Sequence, residues 1–211
     1  MKRKRSEEAI KFIKLKKDAI IVVIVAVAVL VVGILSFNYL NEQKQSEAKK
    51  AFAEALLSAS QEQDDAIILE KLKAVSDDYK GSAYATYSLI LAGQTLLDKG
   101  EYREAAAVFD EALKSKQPAA FLTAQIYESK AVALEFDNSL DEALATYKKA
   151  LAVSGNYYRR NEFLLKSALL NLRMGQKEEA KKLLKEIIAD ADAGEKYSRI
   201  AKNEIAAMEN E

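Results

Sequence analysis

The chain has 211 residues, and its 32 Lys and Arg residues balance its 32 Asp and Glu residues, so its formal net charge is zero. It contains neither cysteine nor histidine, which excludes disulfides, thiol nucleophiles, thiolate metal sites and Ser-His-Asp catalysis. Because glycine-rich phosphate loops and the H-E-x-x-H and G-x-S-x-G motifs are also absent, we expect a protein that is not an enzyme and holds no cofactor or metal.

A basic tail, residues 1–18, opens the chain. It carries eight basic and three acidic residues (net +5), which leaves 24 basic and 29 acidic residues (net −5) for the remainder. Basic residues before a membrane helix stay in the cytoplasm. The tail therefore predicts a cytoplasmic N-terminus. The acidic remainder disfavours nucleic acid as a partner, since such binding depends on neutralising phosphates.

An uncharged run of nineteen residues, 19–37, follows the tail. As a helix it would be roughly 28 Å long, close to the ~30 Å hydrocarbon core of a bilayer. The apolar region of a cleaved signal peptide is shorter, about 7–15 residues. The sequence therefore predicts an uncleaved transmembrane helix over residues 19–40. Residues 19–37 would contact lipid, and residues 41–211 would form a domain on the far side of the membrane.

Apolar residues recur at helical spacing from residue 46 onward, with one Pro and seven Gly in the whole chain. This pattern predicts an all-α domain. Three segments share a Glu-Ala pair whose alanines, Ala105, Ala143 and Ala180, are 38 and 37 residues apart. A period of that size indicates stacked helical hairpins, a solenoid. The predicted units are a degenerate hairpin at 46–80, repeats at 82–116, 119–154 and 157–192, and a terminal helix at 194–211.

The repeated residues also predict how the hairpins pack. Small residues on the first helices would face the three alanines, and large residues would fill the seam to the next repeat; these are Gly93, Ala131 and Ala168, then Phe109, Tyr147 and Leu184. Gly100 and Gly175 are predicted to end first helices. Ser139 and Glu142 have the spacing of a capping box.

These segments resemble tetratricopeptide repeats, whose pattern is W-x2-L-G-x2-Y followed by A-x3-F-x2-A. The similarity is strongest in Leu89-x2-Ala92-Gly93-x2-Leu96 and Ala105-x3-Phe109-x2-Ala112. The order of tail, anchor and repeats is similar to that of the single-pass YfgM-like family, which includes an ancillary subunit of the Sec translocon. The resemblance implies a bacterial inner-membrane protein with a periplasmic repeat domain. Its partners would be the translocon, a periplasmic chaperone or an unfolded secretory chain.

The resemblance also implies a concave partner-binding groove along the first helices. Its inward positions are Tyr87, Ile90, Gln94 and Asp98, then Glu128, Val132 and Glu135, then Glu162, Leu165, Leu169 and Arg173. They mix apolar groups with carboxylates, which suits an extended segment bearing apolar and basic side chains. The alternative is that several of them pack against neighbouring helices.

Two segments outside the groove each allow two interpretations. Tyr157-Tyr158-Arg159-Arg160 could be an interface hot spot or could close one repeat onto the next. The terminal helix could cover the last repeat or bind a partner. Three functions are compatible with the sequence: an anchored adaptor beside a membrane machine, a structural scaffold in a secretion or motility apparatus, and an enzyme with an unrecognised site.

Overall fold

Helices make up the regular structure of the described residues, and no strand occurs among them. The computed structural model describes residues 2–61, 64–115, 119–155 and 159–210, without the side chains of residues 2–28, 59 and 60. The helices are α1 Lys2–Gln61, α2 Asp65–Asp78, α3 Ala83–Asp98, α4 Tyr102–Lys114, α5 Ala120–Phe136, α6 Leu140–Ser154, α7 Arg160–Arg173, α8 Lys177–Ala189 and α9 Gly194–Glu209. The predicted all-α class is confirmed for these residues.

The chain divides into two compact units, Met1–Glu47 and Ala48–Glu211. In the first unit, every side chain from Val29 to Leu40 is exposed, all round the helix. Within the part of the chain that the structure describes, no helix combines the length and the apolar character needed to cross a bilayer. The predicted span covers residues 19–37, but the structure describes side chains only from residue 29 onward. Only part of the predicted span can therefore be compared with the structure. The prediction of a membrane helix is therefore not supported by the described residues.

The second unit is a solenoid. From α2 to α9 each helix packs against the next, and α3 also contacts α5 as α7 contacts α9. Contacts between helices that are consecutive or two apart in the chain are typical of stacked helical repeats. The short connections between these helices favour antiparallel neighbours.

Small residues allow the two helices of a hairpin to approach closely, but the residue that faces Gly93 differs from the prediction. Phe109, predicted to fill the seam to the next repeat, lies against Gly93 on the first helix of its own repeat. Ala105, Ala143 and Ala180 are completely buried. On the facing helix, a methyl group added at Gly93 would lie 2.6 Å from Cε1 of Phe109. Phe109 is itself fully buried, so its ring occupies the space that the missing side chain leaves.

The turns within the hairpins use left-handed residues. Gly100 has φ +81° and Gly175 has φ +76°, a region that glycine enters without steric cost. In the middle repeat the same place is taken by Asn138, with φ +63°, and Asn is the side chain that best tolerates this conformation after glycine.

The predicted capping box at Ser139 is wrong. Ser139 precedes α6, but its side chain makes no cap hydrogen bond. Its hydroxyl donates instead to Oδ2 of Asp137, at 2.8 Å. A hydrogen bond from a hydroxyl to an ionised carboxylate is strong, so it holds the Ser139 hydroxyl on Asp137 and away from the first turn of the helix.

The core runs the length of the second unit. A first cluster extends from Ala55 in α1 to Leu170 in α7. A second cluster joins α7, α8 and α9, where Ala201 is buried and Tyr197, Ile205 and Met208 pack beside it. α9 therefore lies against the last hairpin and covers apolar surface there.

Candidate partner-binding surface

Three aromatic rings lie together where α3 begins. Ser82 caps this helix, because its Oγ accepts a hydrogen bond from the backbone N–H of Ala85 at 3.0 Å. In the first turns, the rings of Tyr84 and Tyr87 are 6.0 Å apart, and both lie near the ring of Phe52 from α1, at 5.9 and 6.4 Å. Tyr87 is 42% exposed. We call Phe52, Tyr84 and Tyr87 the aromatic cluster.

The predicted residues Gln94 and Asp98 continue the same face of α3. They follow Tyr87 by seven and eleven residues, close to two and three helical turns. Neither side chain is buried, and Nε2 of Gln94 donates to Oδ1 of Asp98 at 3.1 Å. The structure thus brings three of the four predicted residues of the first repeat onto one accessible stripe. The fourth, Ile90, is partly buried and packs against the first core cluster.

Carboxylates gather at the end of this stripe. Nζ of Lys99 lies 2.7 Å from Oε1 of Glu101. This hydrogen bond, with the nearby charges of Glu101, Asp65 and Asp64, raises the pKa of Lys99. Asp98 directly precedes Lys99 in the chain. We call these three carboxylates, together with Asp98 beside Lys99 in the chain, the acidic rim: Asp64, Asp65, Asp98 and Glu101.

The predicted groove residue Glu128, on α5, belongs to an ion-pair network. It is only 6% exposed. Its Oε1 accepts from Nη2 of Arg159 at 2.9 Å and from Nζ of Lys166 at 2.5 Å. Arg159 also donates through Nε to Glu162 at 2.8 Å. Two carboxylates and two cations thus satisfy one another between α5 and α7, so the charges of Glu128 are already occupied.

The network shifts the pKa of its neighbours. The hydrogen bond from Arg159 holds the pKa of Glu162 below its usual value. The positive charges of Lys166 and Arg159 act in the same direction. Burial raises the pKa of the Tyr147 hydroxyl, and the negative charge of Glu135 adds to this. That hydroxyl lies 3.3 Å from Oε2 of Glu135, so this predicted groove residue also has a partner inside the domain.

The remaining predicted residues divide between core and surface. Val132 is half-buried against the first core cluster, and Leu165 is buried in the second. Leu169 is 40% exposed. Arg173 is partly exposed and donates through Nη2 to Oδ1 of Asn138 at 3.2 Å. Part of the predicted groove therefore packs against neighbouring helices, which was the alternative interpretation of these residues.

For two residues at this surface, Phe52 and Arg159, the sequence gives little indication of their role. Phe52 precedes the repeats that carry the resemblance, so the repeat pattern does not assign it to the groove. Arg159 belongs to the cluster 157–160; its structural role agrees with closure of one repeat onto another, whereas Tyr157 and Tyr158 lie outside the described residues. Among the residues that are described, no group of three or more acidic side chains is arranged to hold a metal ion.

An open cavity of about 360 Å³ lies between α4, α5 and α6, away from the predicted groove residues. Two ion pairs lie in its lining: Nε of Arg103 lies 3.0 Å from Asp137, and Nζ of Lys130 lies 2.7 Å from Asp110. Hydrogen bonds from Ser139 and then Arg103 lower the pKa of Asp137. Nothing in this lining suggests chemistry beyond these ion pairs.

Comparisons with known proteins agree with the repeat pattern. The family model for a tetratricopeptide repeat-like domain matches residues 11–149, more than half of the chain. No curated protein sequence matches the chain. Among solved structures, BtubC (BKLC) from P. vanneervenii is similar with 16% identity and a TM-score of 0.44, over 72% of this chain and 59% of that one. This chain thus spans about 59% of the length of that protein.

Two structures of MamA are also similar. They are the MamA RS-1 ArsTM double mutant and MamA 41-end from Desulfovibrio magneticus RS-1. Each has 17% identity and a TM-score of 0.30, over 65% and 66% of this chain and 90% and 92% of theirs. These TM-scores are too low to bear on the function of the chain.

Proposed function

Because the chain belongs to the tetratricopeptide repeat-like domain family, we propose that it is a membrane-anchored adaptor that binds protein partners along the inner face of its repeats. The observation that carries the proposal is the stripe of accessible side chains on α3, from Tyr87 through Gln94 to Asp98. In a solenoid, the buried positions hold one repeat on the next, and accessible residues in register on a first helix are available to a ligand.

The proposed anchor is residues 19–37. The family match begins at residue 11 and therefore includes this run. Its described part, from Val29 to Phe37, exposes apolar side chains on every side of the helix. Such an apolar surface is unfavourable in water and is expected to contact another apolar surface. Because the sequence is uncharged on both sides of Val29, the hydrocarbon of a lipid bilayer is suited to that contact.

The basic tail supports a cytoplasmic N-terminus, and the repeats would then lie on the periplasmic side of a bacterial inner membrane. Resemblance to the YfgM-like family leads us to propose the Sec translocon as the neighbouring membrane complex. A periplasmic chaperone or an unfolded secretory chain would then be the segment held in the groove.

Site-specific photo-crosslinking in cells tests the adaptor function. A photoreactive residue is placed at Gln94, on the accessible stripe, and at Lys148 on α6 as an exposed control. We expect crosslinks to translocon subunits, a chaperone or secretory chains from position 94 and markedly fewer from position 148. Equal labelling at both positions, or no protein partner at position 94, would refute the adaptor function.

Protease treatment of spheroplasts tests the proposed topology. We expect the repeat domain to be degraded from outside while the tail, residues 1–18, is protected. Survival of the repeat domain in intact spheroplasts would place it in the cytoplasm instead.

A structural scaffold in a larger envelope assembly is the second candidate. The observation that favours it is an aromatic pair that is not among the predicted groove positions: Tyr102 and Phe136 stack with ring centroids 5.2 Å apart, and Phe136 is 64% exposed. Aromatic residues of this kind are frequent at protein interfaces. A scaffold would give stable, stoichiometric neighbours in a mild-detergent pull-down that the Phe136→Ser variant loses and the Tyr87→Ser variant keeps.

A further inference from the structure

We propose that the aromatic cluster and the acidic rim form one docking site for an extended protein segment that carries an apolar anchor at one end and Lys or Arg residues at the other. This inference rests on the proposed binding function and specifies the chemistry of the partner. It assigns the site to the α1–α3 end of the solenoid and not to the whole groove.

The aromatic cluster supplies the apolar half of the site. Phe52, Tyr84 and Tyr87 pack at tilted and edge-on angles on two helices, yet Tyr87 keeps a large exposed surface. Leu56, one turn after Phe52, is 41% exposed. Rigid aromatic rings bury much area with little loss of side-chain entropy, so they anchor partners well.

The acidic rim favours positive charge at the other end of the bound segment. Its four carboxylates outnumber the single ammonium of Lys99, which leaves three uncompensated negative charges within this group if all are ionised. Asp98 follows Tyr87 by eleven helical residues, roughly 16 Å. An extended segment advances about 3.3 Å per residue, so about five residues separate its anchor from its basic groups.

The charged residues at the far end of the predicted groove offer no comparable electrostatic attraction. Glu128, Arg159, Glu162 and Lys166 form a network with no net charge, and its hydrogen bonds are made within the domain. A partner that bound there would have to break charge-assisted hydrogen bonds before gaining any. The occupied network therefore leaves the α1–α3 end as the docking site.

Three labelled peptides and the full-length chain in mild detergent test this site by fluorescence anisotropy. The first peptide carries Leu-Phe, a five-residue Gly-Ser spacer and three Lys. The second replaces the Lys residues by Glu, and the third replaces Leu-Phe by Ser-Ser. We expect the first peptide to bind at least about tenfold more tightly than either of the others, with an affinity that falls as salt is added.

Variants locate the binding. We expect Tyr87→Ser to weaken binding of the first peptide by about tenfold and Tyr87→Phe to keep it within about twofold. Asp98→Asn should weaken it by about threefold and reduce its salt dependence. The matched controls are Phe136→Ser, another exposed aromatic residue, and Asp78→Asn, another carboxylate that ends a helix. Both controls should bind like the wild type, and circular dichroism checks that every variant is folded.

Several outcomes would overturn the inference. Equal binding of the Lys and Glu peptides, preference for the Glu peptide, or loss of binding in the control variants would do so, as would no binding of the first peptide. A concentration-dependent dimer that Tyr87→Ser dissociates would overturn it too, by assigning the aromatic cluster to a second copy of the chain. In each case crosslinks to partners from position 94 would leave the adaptor function standing, so the two failures can be told apart.

Discussion

Substitution of Gly93 by alanine tests the packing on which the solenoid depends. Gly93 lies inside α3 and has a helical backbone, so in an open helix the change to alanine would add about 1 kcal/mol of stability. Here the new Cβ would lie 2.6, 2.7 and 3.0 Å from three ring carbons of Phe109. Ordinary van der Waals contacts begin near 3.4 Å, so the shortest contact is about 0.8 Å too close.

The ring of Phe109 has no simple way to move. The side chain is fully buried within the first core cluster, and overpacking a closed core costs about 1–3 kcal/mol. That cost is at least as large as the gain in helix propensity. We therefore expect Gly93→Ala to lower the free energy of unfolding by up to about 2 kcal/mol, the reverse of the change expected from helix propensity alone.

Urea unfolding of the full-length chain, followed by far-UV circular dichroism, measures this change. Hydrogen exchange of peptides from α3 and α4 shows whether the loss is local to the first repeat. Gln94→Ala, at the accessible neighbouring position, is the control and should change stability by less than about 0.5 kcal/mol.

A second variant separates the steric clash from other effects. Phe109→Leu removes the ring atoms that the alanine would meet, at a cost of its own from the lost packing. In that background Gly93→Ala should be neutral or stabilising, so the double-mutant cycle should give a coupling of about 1–3 kcal/mol, the overpacking cost that is relieved. If Gly93→Ala stabilises the wild type, or if its cost is the same in both backgrounds, the close packing of Gly93 on Phe109 is refuted.

Three further predictions follow from the network and the turns. Glu128→Gln leaves Arg159 and Lys166 without this anionic partner, so we expect a loss of about 1–3 kcal/mol in urea unfolding, reduced because both cations are partly exposed; a loss below about 0.5 kcal/mol would contradict this. The pKa of Glu162 is lowered from 4.5, so its stabilisation is present above that pH and lost as the pH falls through the folded-state pKa. Wild type should lose stability in acid more steeply than Glu162→Gln, and parallel curves would argue against the pairing. At Asn138, with φ +63°, Gly should be neutral or stabilising by up to about 1 kcal/mol and Val destabilising by more than about 1 kcal/mol, the reverse order being inconsistent with a left-handed turn.

The sequence was sufficient for features that repeat along the chain. The spacing of Ala105, Ala143 and Ala180 predicted the stacking of hairpins, because each repeat must bury the same face against its neighbour. Gly100 and Gly175 likewise marked turns, because few other residues adopt a positive φ. These signals are local or periodic, and each depends on a short stretch of sequence.

Pairings between repeats could not be predicted in this way. Glu128 binds Arg159 and Lys166, which are 31 and 38 residues further along the chain. Which charged side chain meets which depends on the rotation of one hairpin relative to the next, and no spacing rule in the sequence encodes that rotation. The capping prediction at Ser139 was wrong for a related reason, because the capping pattern takes no account of Asp137, which accepts the hydrogen bond of the Ser139 hydroxyl.

The proposed groove therefore has two ends with different energetics. At Glu128 the charges are desolvated but already paired, so a ligand gains little from them and loses the existing bonds. At Tyr87 the exposed ring loses only water when a partner covers it, and burial of apolar area is favourable at about 25 cal/mol per Å². Under this proposal, the same solenoid positions hold repeats together in α5 and α7 and receive a partner in α3. An adaptor built in this way would keep its rigid, internally paired end unchanged while its affinity is set at the aromatic end.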